Sequence, residues 1–232
     1  YDIDCIHFDD YFYPYKKAGL PIPDSMDFAR YGQDFQDIED WRRHNNDQLI
    51  RALHRRIEQQ KPEVSFGISP FGVWRNATRD SLGSDTRAGV TTYDVLYADV
   101  RKWLEQGWID YVAPQLYWHI GHPAADFETL LNWWSQHTYG RRLYIGHGAY
   151  RIGSDPDSAW HDARQIARQM ALLRQNPKVD GHIFFSSNSL RKNKLDWSSH
   201  LRDSLYETHA LLPWRDAPGN ALPPPPDLRK VK

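Results

Sequence analysis

The sequence is short of three things, and each shortage closes off a class of protein. It holds one cysteine, Cys5, which excludes an internal disulfide and leaves the redox compartment open. Its formal net charge is −1, with 29 basic against 30 acidic residues, so no electrostatic footprint points to nucleic acid or an anionic membrane surface. No apolar run approaches the roughly 20 residues that a bilayer-spanning helix needs, so no integral membrane segment is expected. Residues 1–30 also carry no secretory-leader pattern.

What is there is ordinary in bulk and unusual in one respect. A chain of 232 residues, 40% hydrophobic and 25% charged, is long enough for one α/β domain with a sizeable core. Aromatic residues, however, make up 14% of it, including 10 tryptophans. Aromatic faces stack on the apolar C–H faces of sugars and nucleobases, although most of these rings are expected to fill the core. Tyr11, Phe12, Tyr13, Trp74, Tyr117, Trp118 and Tyr150 cluster just after expected strands, where a core role explains them less well.

Apolar runs bounded by turn residues alternate with helical patterns, which is the signature of βα units and a parallel sheet. Strands are expected at Ile3–Phe8, Val64–Ser69, Tyr111–Gln115, Leu143–Ile145 and His182–Phe185. Helices are expected over Asp40–Gln60, where Leu49, Ile50, Leu53 and Ile57 form a stripe, and over Thr92–Gln106, which stops at Gly107. Further helices are expected over Phe127–His137, Ser158–Gln175 and Leu195–Leu211. Residues 1–211 thus read as one (β/α)-barrel domain, and residues 212–232, with Pro223–Pro226 in a row, as a linker or tail. The loops Asp9–Asp37 and Pro70–Thr91 are long, which in a compact domain usually marks function. In a parallel barrel the active site forms where such loops meet the C-terminal strand ends. Five strands are three short of a closed eight-stranded barrel, so a TIM-type barrel truncated at its N-terminal side is expected, holding about the last five βα units.

Chemistry concentrates at the end of the first strand. Glycosidic cleavage usually needs two carboxyl groups, one as acid and one as base or nucleophile. Alternation puts Cys5, His7, Asp9 and Tyr11 on one strand face and Phe8 and Asp10 on the other. Asp9 is therefore the better candidate for the acid and Asp10 for a helper; the alternative is that the pair caps the following loop. At the other strand ends acids are scarce. The second leads to Arg75, Asn76 and the more distant Asp80 and Asp85, and the third gives Gln115, Tyr117 and His119. The fourth gives His147, Tyr150 and Arg151. A second carboxylate could lie on missing strands or be Asp80 or Asp85, or the substrate could supply the nucleophile.

The stretch Tyr1-Asp2-Ile3-Asp4-Cys5-Ile6-His7-Phe8-Asp9-Asp10-Tyr11-Phe12-Tyr13-Pro14 resembles the fourth-strand motif of the glycosyl hydrolase-like 10 family. The resemblance continues through Asp40-Trp41-Arg42-Arg43, Phe66–Asn76, Trp108–Trp118 and Gly148–Gly153. One departure is Cys5, where a glycine is expected. The resemblance implies an exported TIM-barrel hydrolase acting on bacterial cell-wall glycans, particularly peptidoglycan strands lacking stem peptides. It implies a periplasmic, outer-membrane-anchored or extracellular location, and no cofactor. Residues Asp4–Tyr11 are also similar to the fourth-strand motif of family-18 chitinases, and Gln115-Leu116-Tyr117 to their sixth-strand tyrosine motif. There, however, His7 and Tyr11 stand in place of an aspartate and the catalytic glutamate, so that family's mechanism does not carry over.

The candidate site is therefore Asp9 and Asp10 as catalytic groups. His7, Tyr11, Trp74, Arg75, Asn76, Gln115, Tyr117, Trp118, Tyr150 and Arg151 are the candidate substrate contacts. Arg75 or Arg151 could pair with the lactyl carboxylate of muramic acid, unless Arg75 pairs with a loop aspartate instead. Trp74 and Trp118 could stack on sugar rings. Two other readings compete. His7, Asp9, His119, His122 and His147 could ligate zinc in a metal-dependent hydrolase, although no HxH or HExxH spacing is present and no metal is expected. A non-catalytic glycan-binding module could use the same aromatic cleft.

Overall fold

The computed structural model describes residues 2–208. Strands β1 (Cys5–Phe8), β2 (Ser65–Ile68), β3 (Tyr111–Val112), β4 (Gln115–Leu116), β5 (Arg142–His147) and β6 (Gly181–Phe184) alternate with helices. The α-helices are α1 (Ser25–Tyr31), α2 (Ile38–Gln60), α3 (Val100–Glu105), α4 (Phe127–Gln136), α5 (Gln165–Gln175), α6 (Ser187–Lys192) and α7 (Trp197–Ser204). Every strand pair is parallel, in the order β1-β2-β3-β5-β4 with β6 against β5. β3 and β4 are two parts of one passage interrupted at Ala113-Pro114, where proline has no N–H to give the ladder. Five strand passages thus follow one another across the sheet in chain order, forming a half-barrel of the TIM type.

Strand alternation decides which face is buried. Phe66, Ile68, Val112, Leu143 and Ile145 point to the helices and share one core with Ile50 of α2, Trp103 and Leu104 of α3, Leu130 and Trp134 of α4 and Leu173 of α5. The opposite face carries Cys5, His7, Gly67, Tyr111, Tyr144 and Gly181, brought level by the registers His7↔Gly67, Gly67↔Tyr111 and Tyr144↔Gly181. Gly67 is what lets this face close up: a Cβ there would sit 2.2–2.3 Å from three ring atoms of Tyr111. The Tyr111 ring crosses β2 at that gap, stacks on His7 at 5.8 Å and places its hydroxyl 2.9 Å from His7 Nδ1. A smaller core of Trp160, Ile166, Met170, Trp197 and Leu201 closes the last units.

Helix caps follow the residues that permit them. Asp37 accepts from the Asp40 N–H at the start of α2, and Asp126 accepts from the Thr129 N–H at the start of α4. Asp47, buried on α2, accepts from Lys102 Nζ at 2.5 Å and Trp103 Nε1 at 2.6 Å, which ties α2 to α3. Three expectations need correction. The helix expected over Thr92–Gln106 is α-helical only from Val100, because Tyr97 takes a left-handed φ of 52°. Tyr97 is held there by Asn46, whose Nδ2 reaches the Tyr97 carbonyl at 2.7 Å, and by Arg42 on its hydroxyl at 3.0 Å. The segment Ser158–Gln175 splits into a 3-10 turn, Ser158–His161, and α5, because Asp162 is extended. Leu49 is 48% exposed, so the stripe of α2 runs through Trp41, Ile50, Leu53 and Ile57 instead. The helix expected over Leu195–Leu211 is α-helical over α7 alone and stops at Ser204, with Leu205 as its C-cap; residues 209–211 and the Pro-rich segment 212–232 lie outside the described residues.

Candidate active site

Asp9 leaves the C-terminal end of β1 on the open face of the sheet and is exposed. Its Oδ1 accepts two hydrogen bonds, from the Asp10 N–H at 2.8 Å and from Gln115 Nε2 at 2.8 Å. Gln115 belongs to the third strand passage, and the same amide nitrogen donates to the Ser69 carbonyl at 3.0 Å. Ser69 in turn donates its hydroxyl to the Ala113 carbonyl at 2.9 Å. Three neighbouring strand ends therefore fix one carboxylate oxygen.

Asp10 points the other way and is 3% exposed, and its Oδ2 accepts from the Tyr15 hydroxyl. Burial raises the Asp10 carboxyl above its ordinary value; the Tyr15 hydrogen bond pulls it down, and the neighbouring Asp9 charge adds to the rise. Burial, followed by the bond to Asp10, pushes the Tyr15 hydroxyl upward and keeps it a neutral donor. The pair thus consists of one exposed carboxyl group oriented through Oδ1 and one buried behind it whose hold on its proton is strengthened by burial.

Tyr117 follows β4, and burial first, then the Asp9 charge, raises its hydroxyl above the ordinary value. Its ring stacks against Phe185 at 5.9 Å and meets Tyr150 edge-on at 5.9 Å. The structure therefore brings together His7, Asp9, Gln115, Tyr117 and Tyr150 on the open face and at its strand ends. Tyr11, 74% exposed, stands beside them against Tyr15.

Other candidates lie elsewhere. Trp74 is 2% exposed, stacks on Trp133 at 5.8 Å and donates to Asp99 at 3.1 Å. Both demands of its indole are met in the core, which corrects its placing as a sugar platform. Arg75 spends its guanidinium on Asp94 at 2.8 Å and Asp80 at 3.1 Å, so it pairs with loop aspartates and not with a ligand. Asp80, also held by the Leu82 N–H at 2.9 Å, is removed as a second catalytic carboxylate by the same contacts. Asn76 braces the loop, its Oδ1 accepting from Thr86 and Ala88 and its Nδ2 donating to the Ala88 carbonyl. Arg151 is tied to Asp155 and lies over Tyr150 at 5.4 Å. Trp118 is half-buried, edge-on to Phe71 at 5.3 Å.

The histidines are likewise committed. His147 is fully buried with Nδ1 on Gln169, His119 sits between the Ile120 carbonyl and Asp157, and His122 accepts from two backbone N–H groups. Among the described residues no group of three or more His, Cys, Asp or Glu is placed to hold a metal ion. No described helix is long and apolar enough to cross a membrane. Three residues of the site escaped sequence reading. Tyr15 and Ser69 carry no motif of their own, and Phe185 falls inside the strand expected at His182–Phe185, whereas β6 ends at Phe184.

An all-parallel half-barrel whose polar and aromatic side chains converge at the C-terminal strand ends defines a partial TIM-type barrel with a site in the usual place for that class. The chain belongs to the Glycosyl hydrolase-like 10 family, whose pattern matches residues 1–162. It is 48% identical over 237 residues to "Glycosyl hydrolase YngK" of Bacillus subtilis, an alignment covering 100% of this chain and 46% of that protein. It is 41% identical over 199 residues to "Glycosyl hydrolase DigH" of Escherichia coli K12, covering 83% of this chain and 45% of the relative. The chain spans about half the length of these curated relatives.

Proposed function

We propose that this chain is the C-terminal portion of a TIM-type glycoside hydrolase barrel, holding about its last five βα units. The enzyme cleaves glycosidic bonds of bacterial cell-wall glycans, with peptidoglycan strands lacking stem peptides as substrate, and works where that polymer lies, outside the cytoplasm. The observation that carries this reading is the exposed Asp9 carboxylate, fixed through Oδ1 by Gln115 and by the Asp10 N–H at a C-terminal strand end. The names of the relatives support the reaction class. In this mechanism Asp9, in its protonated form, gives its proton to the departing glycosidic oxygen as the C–O bond breaks, and a water supplies the hydroxyl that the anomeric carbon gains. The Asp9 carboxylate left behind is the form that Gln115 and the Asp10 N–H hold. Asp10, buried and favouring its proton, stands behind it as a helper, with Tyr15 keeping its carboxyl oriented.

The test uses the full-length protein on peptide-free glycan strands. Product release should fall by about 100-fold or more in Asp9→Asn, the usual range for loss of a general acid, while calorimetric glycan binding persists. Undiminished release from a folded Asp9→Asn variant would remove Asp9 as the acid. A non-catalytic binding module would instead release nothing even with Asp9 intact.

A further inference from the structure

We propose that Ser69 is a positioning residue for Asp9: it fixes the Gln115 amide so that N–H donors fill Asp9 Oδ1 and leave the proton to Oδ2. The catalytic role rests on the glycosidase reading above, whereas the hydrogen bonding is independent of it. All the bonds involved run between β1, β2 and the third strand passage, which pair with one another within this chain.

Two gaps in the parallel ladder put Ser69 to use. The register His7↔Gly67, carried on by two residues, sets Ser69 opposite Asp9, and the Ser69 N–H donates to the Phe8 carbonyl at 2.8 Å. In a continuing ladder the Ser69 carbonyl would then accept from the Asp10 N–H. That N–H has turned to Asp9 Oδ1, so the carbonyl is open to the Gln115 side chain. On the other flank the Ala113 N–H donates to the Ile68 carbonyl and the Gln115 N–H to the Pro70 carbonyl. The Ala113 carbonyl would accept from the N–H of residue 70, but residue 70 is a proline and has none. The Ser69 hydroxyl donates in its place at 2.9 Å.

The consequence falls on the Gln115 amide. Its nitrogen has two N–H donors, one spent on Asp9 Oδ1 at 2.8 Å and one on the Ser69 carbonyl at 3.0 Å. With Asp9 as sole partner, the amide could turn over and hold the acid's proton on its own oxygen. The Ser69 carbonyl forbids that, because the turned amide would set its oxygen against another acceptor. Oδ1 therefore receives N–H donors from Gln115 and Asp10, which occupy both of its lone pairs. The proton that Asp9 gives is thereby confined to Oδ2.

The experiment uses the full-length protein, with steady-state kinetics on peptide-free glycan beside NMR of isotope-labelled glutamine. Ser69→Ala takes the donor from the Ala113 carbonyl and frees the Ser69 peptide to move. In this variant kcat should fall about fivefold, the scale of one neutral hydrogen bond, with KM unchanged, and it should recover in Ser69→Thr, which keeps the hydroxyl. In a Gln115→Leu background Ser69→Ala should lower kcat no further, because the amide through which it acts is gone. A serine that only holds strands together would leave kcat per folded molecule unchanged, or its effect would add to that of Gln115→Leu; either result overturns the role. The Gln115 side-chain amide tests the hydrogen bonding apart from turnover: its protons should exchange slowly with solvent in the wild type and faster in Ser69→Ala. Equally fast exchange in both proteins overturns the proposal even where kcat falls. A protected amide beside turnover that survives Asp9→Asn removes the acid, and with it the catalytic role, while the hydrogen bonding stands.

Discussion

Gln115 Nε2 donates to Asp9 Oδ1 at 2.8 Å from two strand passages away, and the same nitrogen reaches the Ser69 carbonyl at 3.0 Å. Gln115, a candidate substrate contact, thereby orients the carboxyl group. Replacement by leucine leaves Asp9 held by one donor, the Asp10 N–H. A hydrogen bond to a charged group is worth about 1.5–3 kcal/mol, or roughly 10- to 100-fold in rate if it acts only in the transition state. Gln115→Leu should therefore lower kcat by about that factor with KM little changed. Steady-state kinetics on peptide-free glycan decides it, and a pure rise in KM would return Gln115 to substrate contact.

Gly67 presents a different kind of constraint. A methyl group there would sit 2.2 Å from Tyr111 Cζ, so Gly67→Ala must push the ring off β2 and break its contact with His7. Overpacking of this kind costs about 1–3 kcal/mol. Denaturant unfolding should show a loss in that range. The double variant Gly67→Ala with Tyr111→Ala should regain part of it, because the clash is then gone. A neutral single variant would contradict the packing described.

Acid should weaken the fold through His147. The ring is fully buried with Nδ1 on Gln169 Oε1 at 2.8 Å, and burial lowers its pKa from 6.5 to about 3. Between those values the unfolded chain takes up a proton that the folded chain refuses. Stability from this group is therefore complete above pH 6.5 and declines as pH falls towards 3. Burial lowers His182, which adds in the same direction. His147→Leu should flatten that part of the profile, measured by urea unfolding at pH 7 and pH 4.5. An equally steep profile in the variant would show that other groups set it.

Much of this was legible in the sequence because it follows from local rules. The runs at Val64–Ser69 and Leu143–Ile145 gave β2 and β5 through their apolar alternation, and the alternation Phe8, Asp9, Asp10 separated an exposed carboxylate from a buried one. What escaped depends on partners far apart in the chain. Nothing near Trp74 announces that Trp133 will cover it; that Arg75 pairs with a loop aspartate was open from the sequence, but not that Asp94 is the partner. The broken helix before Val100 is decided by Asn46 and Arg42, about 50 residues earlier, gripping Tyr97. Phe185 fell inside the strand expected at His182–Phe185, and only the end of β6 at Phe184 places it beyond the strand.

Asp10 shows how the site trades stability for chemistry. Burial raises its carboxyl from the ordinary 3.8, so above that value the unfolded chain releases the proton more readily than the folded one. The folded state is therefore penalised increasingly as pH rises from the ordinary value through the raised one. Asp10→Asn keeps an oxygen to accept from Tyr15 and removes the charge. At pH 7 the variant should melt at a higher temperature than the wild type. At pH 3.5 the wild-type carboxyl is mostly neutral in both states, and the advantage should shrink towards zero. Activity should fall in the same variant, because a group that favours its proton behind Asp9 has been replaced by one that cannot titrate. Thermal melts at the two pH values, beside a turnover assay, test both halves. A destabilised Asp10→Asn at pH 7 would mean that the carboxylate itself, through Tyr15 and the strand end, holds the loop in place.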